Sequence, residues 1–139
     1  MRRILIVDSD PRVCQAIHQT LSVIQHVVFF AFDAVSAISE ARKHNPDLVI
    51  VDLSLPAGGG LLVVERLRAF TAFLRTPIIV IAERGARLEA DRILTAGANV
   101  FLSKPLKRHL LLQYGGRFLP SEQPSEKSVS ILDRPLAKR

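Results

Sequence analysis

Residues 46–56 read Pro-Asp-Leu-Val-Ile-Val-Asp-Leu-Ser-Leu-Pro, an apolar run that ends at an aspartate, Asp52. The residues between the two aspartates are apolar at every position, without alternation of polar and apolar side chains. Such a run is typical of a strand that is covered on both faces, as in a parallel sheet. The stretch therefore predicts a buried strand with a carboxylate at its carboxyl end.

Further short apolar runs lie on both sides of this stretch. The segments between them have apolar residues three and four positions apart, which is the spacing of amphipathic helices. A repeated alternation of strand and helix predicts a doubly wound parallel sheet with right-handed crossovers. We therefore expect an α/β fold with a five-stranded parallel sheet and helices on both faces. The predicted strands cover residues 4–7, 27–31, 48–51, 78–81 and 100–102.

Capping residues and prolines mark the ends of the predicted helices. Aspartates stand where the first two helices begin, and an aspartate side chain is a favoured N-cap. A residue that precedes proline is pushed out of the helical region, which predicts where the second and third helices end. The boundary residues are Asp10, Asp33, Asn45, Thr76 and, at the end of the fourth helix, Gly97.

The character of the sequence changes near residue 115. A fifth helix is predicted over residues 106–114, and Gly115-Gly116 is expected to break it. Residues 117–139 are polar and contain prolines, and they are too few to form a second domain. We expect one domain over residues 1–116 and a polar C-terminal tail over residues 117–139.

Composition narrows the class of protein. Of the 139 residues 48% are apolar and 23% are charged, an ordinary balance for a globular domain. The single cysteine, Cys14, excludes an intrachain disulfide and favours a cytoplasmic location; its apolar neighbours predict a core position. No apolar run approaches the roughly 20 residues that span a membrane. The net charge is +6, but the basic residues are scattered, so nucleic-acid binding by this chain is not expected.

Charged residues follow three of the predicted strands. Asp8 follows the first strand, Asp52 the third and Lys104 the last. Because ligands of open parallel sheets bind beyond the carboxyl ends of the strands, these groups are predicted to converge. Two carboxylates can hold a divalent cation, and an ammonium offsets the charge of a phosphoryl group. The pattern predicts phosphoryl transfer to a carboxylate nucleophile, with a metal ion orienting the transfer.

These motifs, in this order and spacing, resemble the receiver domain of bacterial two-component response regulators over roughly residues 3–114. The matching pieces include Asp8, the stretch 46–56 with Asp52, Ala96-Gly97-Ala98 and Lys104-Pro105. The resemblance implies a flavodoxin-like fold in which Asp52 accepts a phosphoryl group from a sensor histidine kinase or a phosphotransfer protein. It also implies a signalling domain, not an enzyme, that acts on a downstream protein through its fourth helix, fifth strand and fifth helix.

The resemblance assigns further roles within the site. It implies a Mg²⁺ ion held by Asp8, Asp52 and the backbone carbonyl of Ser54, with Lys104 contacting the phosphoryl oxygens. The peptide bond between Lys104 and the proline that follows is expected to be cis, a form almost confined to proline. Phe101 matches the switch aromatic of the fifth strand and lacks the hydroxyl of a tyrosine.

Two residues depart from the family pattern. Ser9 stands where the family usually has a second acid that binds the metal, and the next acid, Asp10, is expected to cap the first helix instead. Ala82 stands where a threonine or serine hydroxyl binds the phosphoryl group. Losing one charged hydrogen bond costs about 1.5–3 kcal/mol, and fewer ligand charges weaken Mg²⁺ binding. We expect weak Mg²⁺ binding and a weak or unconventional readout of phosphorylation.

Two functions stay open on the sequence alone. One is a receiver controlled by phosphorylation of Asp52; the other is a pseudo-receiver that binds a partner without phosphate, which Ser9 and Ala82 favour. A phosphate-handling enzyme is disfavoured because no general base is evident beside Asp52. A homodimer also stays open, and so does the role of the basic residues near the fourth and fifth helices, as solvated face or docking surface. Those residues are Arg84, Arg87, Arg92, Lys107 and Arg108.

Overall fold

The computed structural model describes residues 1–119. Residues 120–139, most of the predicted tail, lie outside the described part of the chain. Strands and helices alternate as predicted. The strands are β1 (Arg2–Val7), β2 (His26–Ala31), β3 (Leu48–Asp52), β4 (Ile78–Ala82) and β5 (Val100–Ser103). The helices are α1 (Pro11–Thr20), α2 (Ala34–His44), α3 (Gly59–Ala69), α4 (Ala90–Ala96) and α5 (Arg108–Phe118).

The five strands form one parallel sheet in the order β2-β1-β3-β4-β5. The chain moves outward in one direction from β1 to β2 and in the other from β3 to β5. This reversal creates a crevice between the carboxyl ends of β1 and β3, the place where ligands bind in such sheets. Val7 pairs with Val51 there, so Asp8 and Asp52 emerge side by side. The predicted doubly wound fold is confirmed.

Alternate side chains of the central strands pack into two apolar layers, one on each face of the sheet. Ile6 and Ile50 belong to the layer under α1 and α5, whereas Val7 and Val51 belong to the layer under α2, α3 and α4. Both β3 and β4 are buried along their whole length, which explains their continuous apolar sequence. Cys14 is buried in the first layer, which confirms its predicted core position. No helix within residues 1–119 has the length and apolar character needed to cross a membrane.

Most of the predicted helix boundaries are confirmed. Asp10 and Asp33 cap α1 and α2, and each side chain accepts a backbone hydrogen bond from the first turn. Asn45 and Gly97 follow α2 and α4 with φ angles of 50° and 124°. These positive φ angles stop each helix in the left-handed region, which asparagine and glycine tolerate best.

The predicted end of α3 at Thr76 is wrong, because the helix stops at Ala69 and a short 3₁₀ turn follows. The reason is a side chain, Arg68, whose guanidinium donates to the carbonyls of Phe73 and Thr76 at 2.6 and 2.8 Å. Its remaining donors reach the Gly97 carbonyl and the Asn99 side chain, both at 3.0 Å. These bonds satisfy the loop carbonyls without a helix, so the chain leaves α3 early.

The predicted helix break at Gly115-Gly116 is also wrong, since α5 continues to Phe118. At Gly115, α5 passes close to the segment after α1. A Cβ atom there would lie 3.0 Å from Leu21 Cδ2 and 3.1 Å from Ile24 Cδ1. The missing side chain lets the backbones approach, and this packing outweighs the poor helix propensity of glycine. The packed chain extends at least to Leu119, which is buried.

Gly116, in contrast, has no neighbour within 4 Å of an added Cβ atom. We expect Gly116→Ala to raise the free energy of unfolding by about 0.5–1 kcal/mol, because alanine loses less backbone entropy in a helix. Gly115→Ala is the matched control and should not stabilise, since its methyl group would crowd Leu21. Urea denaturation of both variants checks this. Equal stabilisation by the two substitutions would contradict the close packing at Gly115.

Two histidines that are distant in sequence form a pair at the opposite end of the sheet. His18 Nδ1 lies 3.1 Å from His26 Nε2, and His26 Nδ1 lies 2.6 Å from the Ile24 carbonyl. Burial, and then the nearby His26, lower the pKa of His18. The pair therefore connects the end of α1 to the start of β2.

Candidate functional site

Asp8, Asp52 and Lys104 meet at the carboxyl edge of the sheet, as predicted. Lys104 Nζ lies 3.3 Å from Asp8 Oδ2 and 3.4 Å from Asp52 Oδ1. The ends of β1 and β3 position the two acids, and the Lys104 amide donates to the Ala82 carbonyl at 2.7 Å. That hydrogen bond fixes the chain after β5 against β4. The peptide bond between Lys104 and Pro105 is cis, as expected.

Both carboxylates of the site are buried, with Asp8 3% and Asp52 5% exposed. Burial and the charge of Asp8 raise the pKa of Asp52, while Lys104 acts in the opposite direction. Burial alone would lower the pKa of Lys104, but the charges of Asp52 and Asp8 outweigh it and raise that pKa. The pocket therefore holds two acids against one ammonium, and its negative charge favours a cation.

The oxygen atoms of this pocket fit a hard divalent cation. Asp52 Oδ1 is buried and has no hydrogen-bond partner among the described residues, although Lys104 Nζ is near. Asp8 Oδ1 accepts the Asp10 amide at 2.9 Å. Buried carboxylate oxygens with spare lone pairs are the ligands that Mg²⁺ prefers. Within residues 1–119 no group of three His, Cys, Asp or Glu side chains is arranged around a metal position. Ser54, whose side chain is exposed, follows two residues after Asp52 in the adjoining loop.

The two departures from the family pattern lie at the edge of the same pocket. Ser9 is exposed beside Asp8, and Ala82 is fully buried as the last residue of β4. The next acid, Asp10, accepts the Arg12 amide at 2.9 Å and also binds the Arg12 guanidinium. Asp10 is therefore used as the N-cap of α1, and its carboxylate is engaged there by Arg12.

One acid near the site was missed by the sequence reasoning. Glu83 follows Ala82, and its Oε2 lies 3.5 Å from Lys104 Nζ with a side chain that is 69% exposed. The signal was present, because Glu83 follows the fourth strand as Asp8 follows the first. The predicted fourth strand ends at residue 81, so Ala82 was the residue expected at the edge of the sheet, one position before Glu83.

Two grooves flank the pocket. The first, here the α1–α5 groove, has a volume of about 560 Å³; Val13, Ile17 and Leu106 line it, and it reaches Lys104. The second, here the β5 groove, has a volume of about 520 Å³ between α4, β5 and α5. Phe101, half-buried, lines the β5 groove together with apolar and basic side chains. Those side chains include Leu94, Leu110, Tyr114, Arg87 and Lys107.

We expect Asp52→Asn to stabilise the folded protein at neutral pH. The pKa of Asp52 is raised on folding from its ordinary value of 3.8, so the folded state binds this proton more tightly than the unfolded state. The contribution of Asp52 to stability is therefore most favourable at low pH and declines as the pH rises above 3.8. Urea denaturation should show a larger gain for the variant at pH 7 than near pH 4. An equal gain at both values would contradict the electrostatic cause.

Known proteins share both the sequence pattern and the fold of this chain. The sequence model of the response regulator receiver domain matches residues 4–114. Transcriptional regulatory protein KdpE of Mycobacterium tuberculosis is 33% identical over 105 residues, covering 76% of this chain and 45% of that protein. Response regulator MprA of Mycobacterium sp. (strain KMS) is 33% identical over 135 residues, covering 94% and 58%. The chain thus spans about half the length of these curated relatives.

Solved structures agree with these relatives. Chemotaxis response regulator CheY4 of Vibrio cholerae aligns with a TM-score of 0.77 and 28% identity, over 86% of this chain and 99% of that chain. The receiver domain of a sensor histidine kinase from Pseudomonas aeruginosa PAO1, described with magnesium in its active-site cleft, aligns with a TM-score of 0.77 and 28% identity, over 86% and 98%. The chain therefore belongs to the response regulator receiver domain family of two-component systems.

Proposed function

We propose that this domain accepts a phosphoryl group on Asp52 from the phosphohistidine of a sensor kinase or phosphotransfer protein. Receiver domains are signalling modules. This one has the nucleophile Asp52 and the ammonium of Lys104, although Ser9 and Ala82 depart from the family pattern. The observation that supports the proposal is the placement of Lys104 Nζ 3.3 and 3.4 Å from the two buried acids.

The residues of the pocket account for each part of the transfer. A carboxylate oxygen of Asp52 attacks phosphorus, an O–P bond forms, the P–N bond breaks, and the imidazole leaves and takes up a proton. Lys104 offsets the charge of the incoming phosphoryl oxygens. A bound Mg²⁺ would supply further charge neutralisation and orientation, and the residues to hold it are Asp8, Asp52 and the Ser54 carbonyl. Burial of Asp52 limits the access of water to the acyl phosphate.

Intact-mass measurement with phosphoramidate and Mg²⁺ tests the proposal. The wild-type protein should gain one phosphoryl mass, and Asp52→Asn should gain none. Asp47→Asn is the control, because Asp47 lies at the other end of β3 and binds the Arg3 amide. Wild-type protein without added mass at saturating donor and metal would overturn the proposal.

If Mg²⁺ binds in this pocket, an acid at position 9, where the family usually has one, should raise the affinity for Mg²⁺. Ser9→Asp adds a carboxylate beside Asp8 and should tighten Mg²⁺ binding by about tenfold, since ligand charge tunes affinity. Isothermal titration with Mg²⁺ measures this, with Ser39→Asp on the exposed face of α2 as the matched control. Equal affinities for wild type and Ser9→Asp would show that Ser9 does not limit the metal site.

The grooves suggest where partners bind. The α1–α5 groove opens at Lys104 and has Arg12 and Arg108 among its lining residues, so we assign it to the phosphoryl donor protein. The β5 groove is lined by apolar side chains together with Arg87 and Lys107. We assign the surface of α4, β5 and α5 to the downstream partner or a second copy of the domain. We also propose a cytoplasmic location, which is favoured by the presence of a single cysteine, Cys14, with no partner in the chain for a disulfide.

A second function is favoured by Ala82. Its buried methyl group offers no hydroxyl to a phosphoryl group. A domain that binds its partner constitutively, without phosphate, does not need that hydroxyl. The same mass experiment separates the two functions. Absence of phosphoryl transfer to Asp52 would leave the phosphate-independent pseudo-receiver as the account of this protein.

A further inference from the structure

We propose that Glu83 couples the state of Asp52 to the turn between β4 and α4, taking the place of the hydroxyl that Ala82 lacks. The inference rests on the proposed phosphorylation of Asp52. In the unmodified protein Lys104 tethers Glu83 to the site. A phosphoryl group takes over Lys104 and repels Glu83, and the turn that begins at Glu83 then moves outward.

The tether is one of three ion pairs around a single ammonium. Lys104 Nζ lies 3.3 Å from Asp8, 3.4 Å from Asp52 and 3.5 Å from Glu83. Asp8 and Asp52 are buried, so neither carboxylate can leave the pocket for water. Glu83 is 69% exposed, and an exposed ion pair exchanges for water at little cost. Glu83 is therefore the group that yields when the charge of the site changes.

Phosphorylation changes that charge in the required direction. A phosphoryl group carries about −1.5 to −2 charges near neutral pH, whereas the Asp52 carboxylate carries one. A bound Mg²⁺ would contribute the same charge before and after transfer, so the added negative charge still falls on Lys104, and its single ammonium cannot neutralise this charge and Glu83 as well. The buried dianion holds Lys104 more strongly than the solvated carboxylate, because water screens the second interaction and not the first. The phosphoryl group therefore repels Glu83, whereas in the family pattern a threonine or serine hydroxyl at the position of Ala82 is attracted to the phosphoryl group.

The position of Glu83 converts this exchange into a movement of the chain. The Glu83 carbonyl accepts the Ala86 amide at 3.1 Å, which closes a turn with Gly85 at a φ of +100°. A Cβ atom at Gly85 would meet nothing within 4 Å, so the tip of the turn is unpacked. The turn continues into Ala86–Glu89 and α4. Arg87 and Leu94 from this segment line the β5 groove, so the movement reaches the proposed partner surface.

Amide chemical shifts measured with and without Mg²⁺ and beryllium trifluoride, a phosphoryl mimic, test the coupling. In the wild-type protein we expect changes at Leu53, which reports on Asp52, and across residues 84–88. In Glu83→Gln the change at Leu53 should persist, while the changes across residues 84–88 should fall at least threefold. Glu89→Gln is the matched control: Glu89 lies in the same segment but pairs with Arg92 at 3.5 Å, and this variant should respond like wild type.

The outcomes distinguish the coupling from the proposed function. If the chemical-shift changes across residues 84–88 were as large in Glu83→Gln as in the wild-type protein, the coupling would be overturned. It would also be overturned if Glu89→Gln reduced these changes as much as Glu83→Gln does. A wild-type response at Leu53 without one across residues 84–88 would overturn the coupling alone and leave phosphorylation of Asp52 standing. No response at Leu53 at saturating mimic, together with no phosphoryl mass, would overturn both.

Discussion

Replacing Gly60 with alanine is expected to lower the free energy of unfolding by about 3 kcal/mol or more, at the upper end of the cost of overpacking. Gly60 is buried in the first turn of α3, and its amide donates to the Leu53 carbonyl at 2.8 Å. An added Cβ atom would lie 2.5 Å from the Asp52 carbonyl oxygen and 2.8 Å from Leu53 Cα. These are backbone atoms at the end of a buried strand, so they cannot rotate away. The same substitution should displace Asp52 and slow its phosphorylation.

Gly116→Ala provides the control for this prediction, because it is also a helical glycine but its added Cβ has open space. Urea denaturation of the two variants beside wild type measures the difference. A Gly60→Ala protein as stable as wild type would show that α3 and the end of β3 leave room for a methyl group at position 60.

Replacing Lys104 with methionine is expected to slow phosphorylation of Asp52 by about 100-fold, the usual effect of removing one group that stabilises charge in a transition state. Lys104 is the cation that the structure places within 3.5 Å of both Asp8 and Asp52. Without it, two buried carboxylates face each other, and the pKa of Asp52 should rise further because its favourable partner is gone. The nucleophile would then be less ionised and the incoming phosphoryl group less well neutralised.

Lys107→Met is the matched control, since Lys107 is exposed and lines the β5 groove. Rates of phosphoryl incorporation from phosphoramidate, with circular dichroism to confirm folding, compare the two variants. Equal rates for Lys104→Met and wild type would show that Lys104 does not assist the phosphorylation of Asp52.

The fold and the centre of the site were predictable for one shared reason. In a parallel sheet the residue after each strand lies at the same edge, so strand positions alone bring Asp8, Asp52 and Lys104 together. Continuous apolar runs made those strand positions easy to recognise. The confirmed helix boundaries likewise depend on local chemistry, such as the side chain of Asp33 or the left-handed φ of Asn45.

The features that escaped prediction depend on contacts between distant parts of the chain. Arg68 ends α3 by donating to the carbonyls of Phe73 and Thr76, and it is held there by the Gly97 carbonyl 29 residues away. No local signal reveals this set of contacts. Gly115 continues α5 because Leu21 and Ile24 pack over it. The ion pair between Glu83 and Lys104 likewise joins the ends of β4 and β5. At Arg68 and Gly115 tertiary contacts override the local preference of the sequence, whereas the position of Glu83 directly after β4 was a signal that the sequence did contain.

Borohydride trapping of the acyl phosphate identifies the residue that accepts the phosphoryl group. Reduction of a phosphorylated aspartate yields homoserine, so peptide mass mapping identifies the acceptor residue itself. After incubation with phosphoramidate and Mg²⁺, we expect homoserine at position 52 and aspartate retained at positions 8, 10 and 47. Homoserine at another position, or at none under saturating donor and metal, would contradict the assignment of Asp52 as the phosphoacceptor.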